Sequence, residues 1–218
     1  MRKKYLLVVF SLITTFTAFS QSKLGLKFSP VISTTRTSLI DSTYNVNPQS
    51  SAFKFSLGLI YDHEITETYF FSTGLIFLPK QIGVTVENEP GKSGTLPKEP
   101  SQTFNLNYLQ IPISLKLFTN EIQPDTRVYF QVGMAPEIKV FSQPTNENYD
   151  LVKDFRNFDT SVIFGGGIEY RAGVNTTLFG GITYQRGLIN ALKTANFNFQ
   201  EQLYLRSTIL SFDLGIKF

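Results

Sequence analysis

The stretch Leu210-Ser-Phe212-Asp-Leu214-Gly-Ile216-Lys-Phe218 alternates strictly: every second residue is apolar, and every residue between is small or charged. A period of two belongs to a strand with one greasy and one polar face. Such a strand, ending the chain on a phenylalanine, is the form expected of the closing strand of an outer-membrane β-barrel, apolar face to lipid and polar face to lumen. The start of the chain points the same way. Arg2, Lys3 and Lys4 precede an apolar run over 5–13, and Ala18 and Ser20 place small residues before Gln21. That is the layout of a signal peptide cleaved before Gln21, and the run is too short for a good transmembrane helix. The expected organisation is a signal peptide over 1–20 and one barrel domain over 21–218. The chain has no cysteine, so neither a lipid anchor through cysteine nor a disulfide is expected of this exported protein.

The formal charge of +3 comes from the leader. Arg2, Lys3 and Lys4 account for the whole excess of 20 basic over 17 acidic residues. The basic balance is therefore no argument for nucleic acid, and none is expected as a partner. The 21 Phe and 10 Tyr, with no Trp, suit strands and interfacial girdles. Alternating runs predict eight strands near 23–33, 52–62, 68–86, 103–118, 126–141, 158–171, 175–187 and 206–218. The polar segments between them alternate in length. Long ones fall at about 34–51, 87–102, 142–157 and 188–205; short ones fall at about 63–67, 119–125 and 172–174. This rhythm predicts an all-β, eight-stranded, antiparallel up-and-down transmembrane barrel, with short periplasmic turns and long outer loops.

Periodicity does not say which face is inside. One predicted strand splits into Phe53, Phe55, Leu57, Leu59 and Tyr61 against Lys54, Ser56, Gly58, Ile60 and Asp62. A soluble lipocalin-like barrel would expose the second set and a membrane barrel would expose the first. The terminal phenylalanine, the loop rhythm and the export signal decide for the membrane form and for the cell outer membrane.

Pro30, Pro79, Pro112 and Pro136 fall inside predicted strands. A proline removes a ladder donor, and a closed barrel has no free edge, so bulges or strand ends must host them. The third strand is ambiguous: Tyr69, Phe71, Leu75 and Phe77 share one face, while Phe70, Ile76 and Leu78 share the other. Either an aromatic plug fills the lumen there, or the register differs. A tight turn near Gly173 would bring Gly165–Gly167 opposite Gly180 and Gly181, where missing Cβ atoms permit bending and leave a dent for an aromatic ring.

Tyr108-Leu-Gln-Ile-Pro-Ile-Ser-Leu-Lys116 resembles a strand shared by the PorT-like outer-membrane β-barrel proteins of Bacteroidota. Phe164-Gly-Gly-Gly-Ile-Glu-Tyr170 resembles their glycine-rich penultimate hairpin, and Leu210–Phe218 their closing strand. The resemblance implies an eight-stranded outer-membrane barrel. It also implies a link to protein secretion for those members that serve the type IX apparatus.

No enzymatic chemistry is expected. The chain has one histidine and no cysteine, and His63 sits in a predicted periplasmic turn, whereas barrel hydrolases place their histidine at the outer rim. No metal-ligand spacing or phosphate-cradling loop is present, so no cofactor is expected. The site candidate is a basic cluster near the periplasmic end: Lys23, Lys27, Lys116, Arg127, Arg171 and Lys217. Glu169, Asp213 and Asp62 are the acids at that level. Part of the cluster would pair inside a lumen too narrow for an open pore, and the remainder would form a rim able to dock an acidic envelope or periplasmic protein. The expected role is structural or interactive, with outer-membrane lipid as the surrounding partner. A small-solute or ligand-binding channel is the alternative.

Overall fold

The computed structural model describes residues 22–39, 44–49, 51–88, 101–144, 152–195 and 203–218. The expected signal peptide over 1–20 lies outside these residues, as does most of the predicted loop 87–102. The strands are β1 (Ser22–Leu39), β2 (Tyr44–Pro48), β3 (Ala52–Glu64), β4 (Tyr69–Asn88), β5 (Ser101–Gln110), β6 (Ile113–Phe118), β7 (Thr126–Pro144), β8 (Val152–Phe155), β9 (Phe158–Arg171), β10 (Thr177–Gly187), β11 (Leu192–Ala195) and β12 (Leu203–Lys217). The wall runs β1-β3-β4-(β5+β6)-β7-β9-β10-β12 and returns to β1, antiparallel throughout. β5 and β6 are one wall strand broken at Ile111 and Pro112, so the ring has eight members. At the seam Leu24 and Phe218 exchange two backbone hydrogen bonds, of 2.7 and 3.2 Å.

The prolines sit where the ladder tolerates them. Pro112 occupies the break, where Ile111 donates its N–H to the Pro136 carbonyl at 3.0 Å. The β1–β12 ladder omits Ser29 and Pro30 and then resumes in register. Pro79 pairs with Asn107, and at Asn107/Tyr108 the β5–β7 register shifts by one residue. This is a bulge at Val140.

The wall has two tiers with opposite polarity. In the lower tier, Leu26, Leu57, Phe77, Phe130, Ile168 and Leu214 point outward and are 44–58% exposed, while Asp62, Lys116 and Lys217 point inward and are at most 4% exposed. In the upper tier β4, β5 and β12 reverse the rule. Ile82, Val84, Val86, Leu106, Leu203 and Leu205 point inward and are at most 1% exposed. Their outward neighbours are Thr85, Glu87, Asn105 and Arg206. β4 shows both rules, with Leu75 and Phe77 outside below and Ile82, Val84 and Val86 inside above. About 9–11 tilted strand residues cross a bilayer. The 18 to 20 residues of β1, β4 and β7 are therefore far longer than the membrane requires. The lower tier is the lipid-facing band, and the upper tier stands in water with an apolar core of its own. Both described ends and the short turns share the lower end, which is the periplasmic end of such a barrel.

Three segments expected to be loops carry strands. The 34–51 segment holds the end of β1 and all of β2; 142–157 holds β8, and 188–205 holds β11 and the start of β12. β2 pairs with β4, and β8 pairs with β11 across the outer mouth. Above Leu57, β3 leaves the side of β4. There β1 closes the gap with hydroxyls: Gln81 N–H donates to Ser33 Oγ and Gly83 N–H to Thr35 Oγ1, each at 3.1 Å. These side-chain bonds replace ladder bonds, which is why no apolar rhythm announces them.

Candidate functional site: the filled lumen and its lower rim

An eight-stranded barrel leaves an interior that side chains can fill. Here they fill it in layers. At the lower mouth Phe70, Phe118 and Tyr129 pack together, Phe70 and Phe118 edge to face at 4.9 Å between ring centres. This is the aromatic plug left open by the two-faced sequence of β4. The Arg127 guanidinium lies 4.6 Å from the Phe118 ring centre, a cation–π arrangement.

Above the plug lies the first charged layer. Lys116 Nζ donates to both oxygens of Asp62, at 2.9 and 3.1 Å. Lys217 bridges Asp62 and Glu169, and Ser72 Oγ donates to Asp62 as well. Beside it, Asp213 accepts from Lys27 at 2.9 Å and from Ser29 at 2.7 Å, with Thr183 as a third donor. Three lysines thus meet three carboxylates. Buried charges persist only when paired and hydrogen-bonded in this way. A cavity of about 20 Å³ between Lys27, Lys116, Tyr129, Thr183 and Asp213 has room for about one water molecule.

A second charged layer closes the lumen higher up. Lys80 is 1% exposed and touches Glu137 and Asp159, donates to Ser207 Oγ at 3.2 Å, and sits 4.6 Å from the Tyr108 ring centre. Gln110 donates to Glu137 and Gln185, each at 2.8 Å, and Ser161 donates to Glu137 at 3.0 Å. Sequence reasoning missed this layer. Its signal was a lone lysine at an inward position between Leu78 and Ile82. Above it, Phe104, Phe155, Leu192, Leu203 and Leu205 form an apolar lid, with Phe104 and Phe155 4.9 Å apart.

The expected basic cluster separates by depth. Lys27, Lys116 and Lys217 belong to the lower charged layer. Lys23 donates to Thr177 Oγ1 at 3.0 Å; Arg127 reaches the Glu67 carbonyl at 3.4 Å; Arg171 is half exposed and 3.8 Å from Asp125. These last three are the basic groups of the mouth itself. Glu121 and Asp125 line the same shallow depression as Lys23, Arg127 and Arg171. His63 lies near the end of β3 with Nδ1 3.2 Å from Ser22 Oγ. Among the described residues no group of three or more His, Cys, Asp or Glu could hold a metal ion.

The glycines of β9 and β10 permit one of these contacts. Gly167 pairs with Gly181, while Gly180 faces Ile168. Tyr129 pairs with Gly167 on the other side, and its hydroxyl lies 2.8 Å from where a Gly167 Cβ would stand and 2.5 Å from that of Gly181. The tyrosine therefore lies flat across two strands, over the dent that the glycines leave.

An apolar exterior below, buried ion pairs within and a closed antiparallel ring define an outer-membrane β-barrel. A family profile described as outer membrane protein beta-barrel domain matches residues 19–193. The chain belongs to that family and resides in the outer membrane. No curated protein sequence matches it. Among solved structures it is similar to the outer membrane protein OprG of Pseudomonas aeruginosa, with 11% identity over 91% of this chain and 96% of that one and a TM-score of 0.54. It is also similar to the outer membrane protease OmpT of Escherichia coli, with 6% identity over 92% and 97% of the two chains and a TM-score of 0.53. At these identities the likeness speaks for the fold.

Proposed function

We propose that the protein is a sealed, non-enzymatic barrel that works through its two ends, as a structural and interaction component of the outer membrane. The observation that carries this reading is the filled lumen: an aromatic plug, two layers of buried ion pairs and an apolar lid lie in series across it. Binding surfaces then remain at the upper tier and at the lower mouth. The PorT-like resemblance of Tyr108–Lys116, Phe164–Tyr170 and Leu210–Phe218 supports a service to protein secretion. The mouth residues Lys23, Arg127 and Arg171 are the part of the basic cluster placed to meet an acidic periplasmic or envelope protein. The protease among the solved neighbours offers no competing reading, because 6% identity carries a fold and not a catalytic set.

Two measurements test the proposal. Cross-linking of a tagged copy in the native outer membrane is expected to yield a discrete complex, weakened by charge reversal of Arg127 and Arg171; recovery of a lone monomer would remove the interaction role. In a planar bilayer the purified protein is expected to show no steady conductance. Well-defined single-channel steps would favour the channel alternative.

A further inference from the structure

We propose that Arg36, Arg186 and Arg206 form a binding site for a phosphate on the headgroup of an outer-leaflet lipid. Arg36 of β1 is the direct cross-strand partner of Arg206 on β12, and Arg186 of β10 is the partner of Thr208, two residues along β12. Strand alternation puts all three on the outer surface, on the same face as Ile32, Tyr184 and Leu210. They stand two to four residues above those last lipid-band side chains. At ~3.3 Å per residue and a tilt near 40°, that is roughly 5–10 Å above the hydrocarbon edge, at headgroup level.

Like charges directly opposite on paired strands destabilise a sheet, and among the described residues no carboxylate answers the repulsion. Among the described residues none of the three arginines has a carboxylate within ion-pair distance; the salt bridges all involve other residues. Arg36 is nevertheless held in place, donating from Nε to Thr208 Oγ1 at 2.8 Å and from Nη2 to the Gly187 carbonyl at 2.9 Å. A fixed guanidinium beside a second one is suited to grip a phosphate by paired, charge-assisted hydrogen bonds. The two line an open recess of about 280 Å³ together with Thr37, Ser38 and Tyr204; the Ser38 and Tyr204 hydroxyls add neutral donors, while that of Thr37 is engaged with the Val46 carbonyl at 2.8 Å. The site stands directly above the lipid band, with Thr34 and Thr208 between the two on β1 and β12, so the phosphate group that would fill it is one whose acyl chains lie along Ile32, Tyr184 and Leu210.

The test uses the full folded protein in detergent, with binding read by native mass spectrometry. The probes are diphosphoryl lipid A, the same lipid without phosphates, and inorganic phosphate alone. The wild type is expected to hold the diphosphoryl lipid at least about tenfold more tightly than the dephosphorylated one. The double variant Arg186→Gln/Arg206→Gln, which leaves the anchored Arg36 in place, is expected to lose that preference while keeping the folded-barrel mobility of an unheated gel. A wild type without preference, or a folded double variant that retains it, overturns the proposal. Inorganic phosphate bound as tightly as the lipid would also overturn it, by making this a site for a free anion.

Discussion

Replacing Asp62 by alanine removes the carboxylate that Lys116 and Lys217 share. Asp62 is 1% exposed, takes both bonds of Lys116 and one of Lys217, and accepts from Ser72. The variant leaves two buried ammonium groups with Glu169 as the remaining carboxylate of that set. Breaking a buried pair from one side costs about 3–5 kcal/mol, because the orphaned charge keeps its desolvation penalty. The partner variant Asp62→Ala/Lys116→Met removes the orphan and leaves Lys217 with Glu169 as a balanced pair. Its loss should therefore fall short of the summed losses of Asp62→Ala and Lys116→Met by a coupling of about 1–3 kcal/mol. Urea titration in lipid vesicles, followed by loss of the compact band on unheated gels, measures all three variants. A single-variant loss below about 1 kcal/mol, or a double variant whose loss is the plain sum of its parts, would show that water reaches these lysines and that the layer is no seal.

Three further expectations follow from the tiers and the cap. Leu57→Lys places a charge on the lipid face and should cost about 2–4 kcal/mol, whereas Asn47→Lys, on the outward upper tier beside Glu87, should stay within about 0.5 kcal/mol; equal costs in the same vesicle assay would abolish the two-tier assignment. Gly181→Ala sets a Cβ where the Tyr129 hydroxyl and the Gly166 carbonyl already stand, so it should lose about 1–3 kcal/mol, and a crystal structure of the variant with Tyr129 unmoved would contradict the covering role. In the β8–β11 cap, the hydrogen bond from Lys193 holds the Asp154 carboxyl below its ordinary value, with Lys139 as a second donor. Its stabilisation is complete above the ordinary carboxylate pKa of about 3.9 and fades as pH falls through the lowered value. Exchange at the Arg156 and Ala191 amides, which donate to Ala191 and Leu205 carbonyls, should quicken only in that acid range once intrinsic exchange is allowed for, and a rise already at neutral pH would refute the assignment.

The eight wall strands were legible because their lower tiers alternate cleanly, as Phe53–Tyr61 and Leu210–Phe218 do. The upper tier was not legible, for a physical reason: a period of two has no sign. Val84 and Phe77 lie on one strand at odd spacing, so the apolar set changes face near Pro79, and the sequence shows this only as an ambiguous run. The end of β1 reads Ser-Thr-Thr-Arg-Thr-Ser, with no apolar alternation, and is a strand because Gln81, Gly83 and β12 bind it. β2, β8 and β11 have four or five residues each and exist through distant partners, which local propensity does not record. Within the candidate site, the acids near the lower mouth were visible by height. Lys80 was not, because its partners Glu137 and Asp159 come from two other strands. The arginine triad was hidden for the same reason, its members being brought together by register alone.

The seam between Leu24 and Phe218 governs how the protein can be born. Its hydrogen bonds join residues from opposite ends of the described chain, so the β1–β12 ladder is the most non-local pairing in the wall. Such contacts form last and slowly, since the whole intervening chain must be brought into line first. Until then two raw strand edges stand open, with the greasy side chains of the lower tier beside them, an invitation to aggregate. A ribosome releasing this chain residue by residue makes nothing that can close before Phe218 emerges. The cell must therefore keep the chain unpaired until it reaches a bilayer, and assembly belongs to whatever escorts it there.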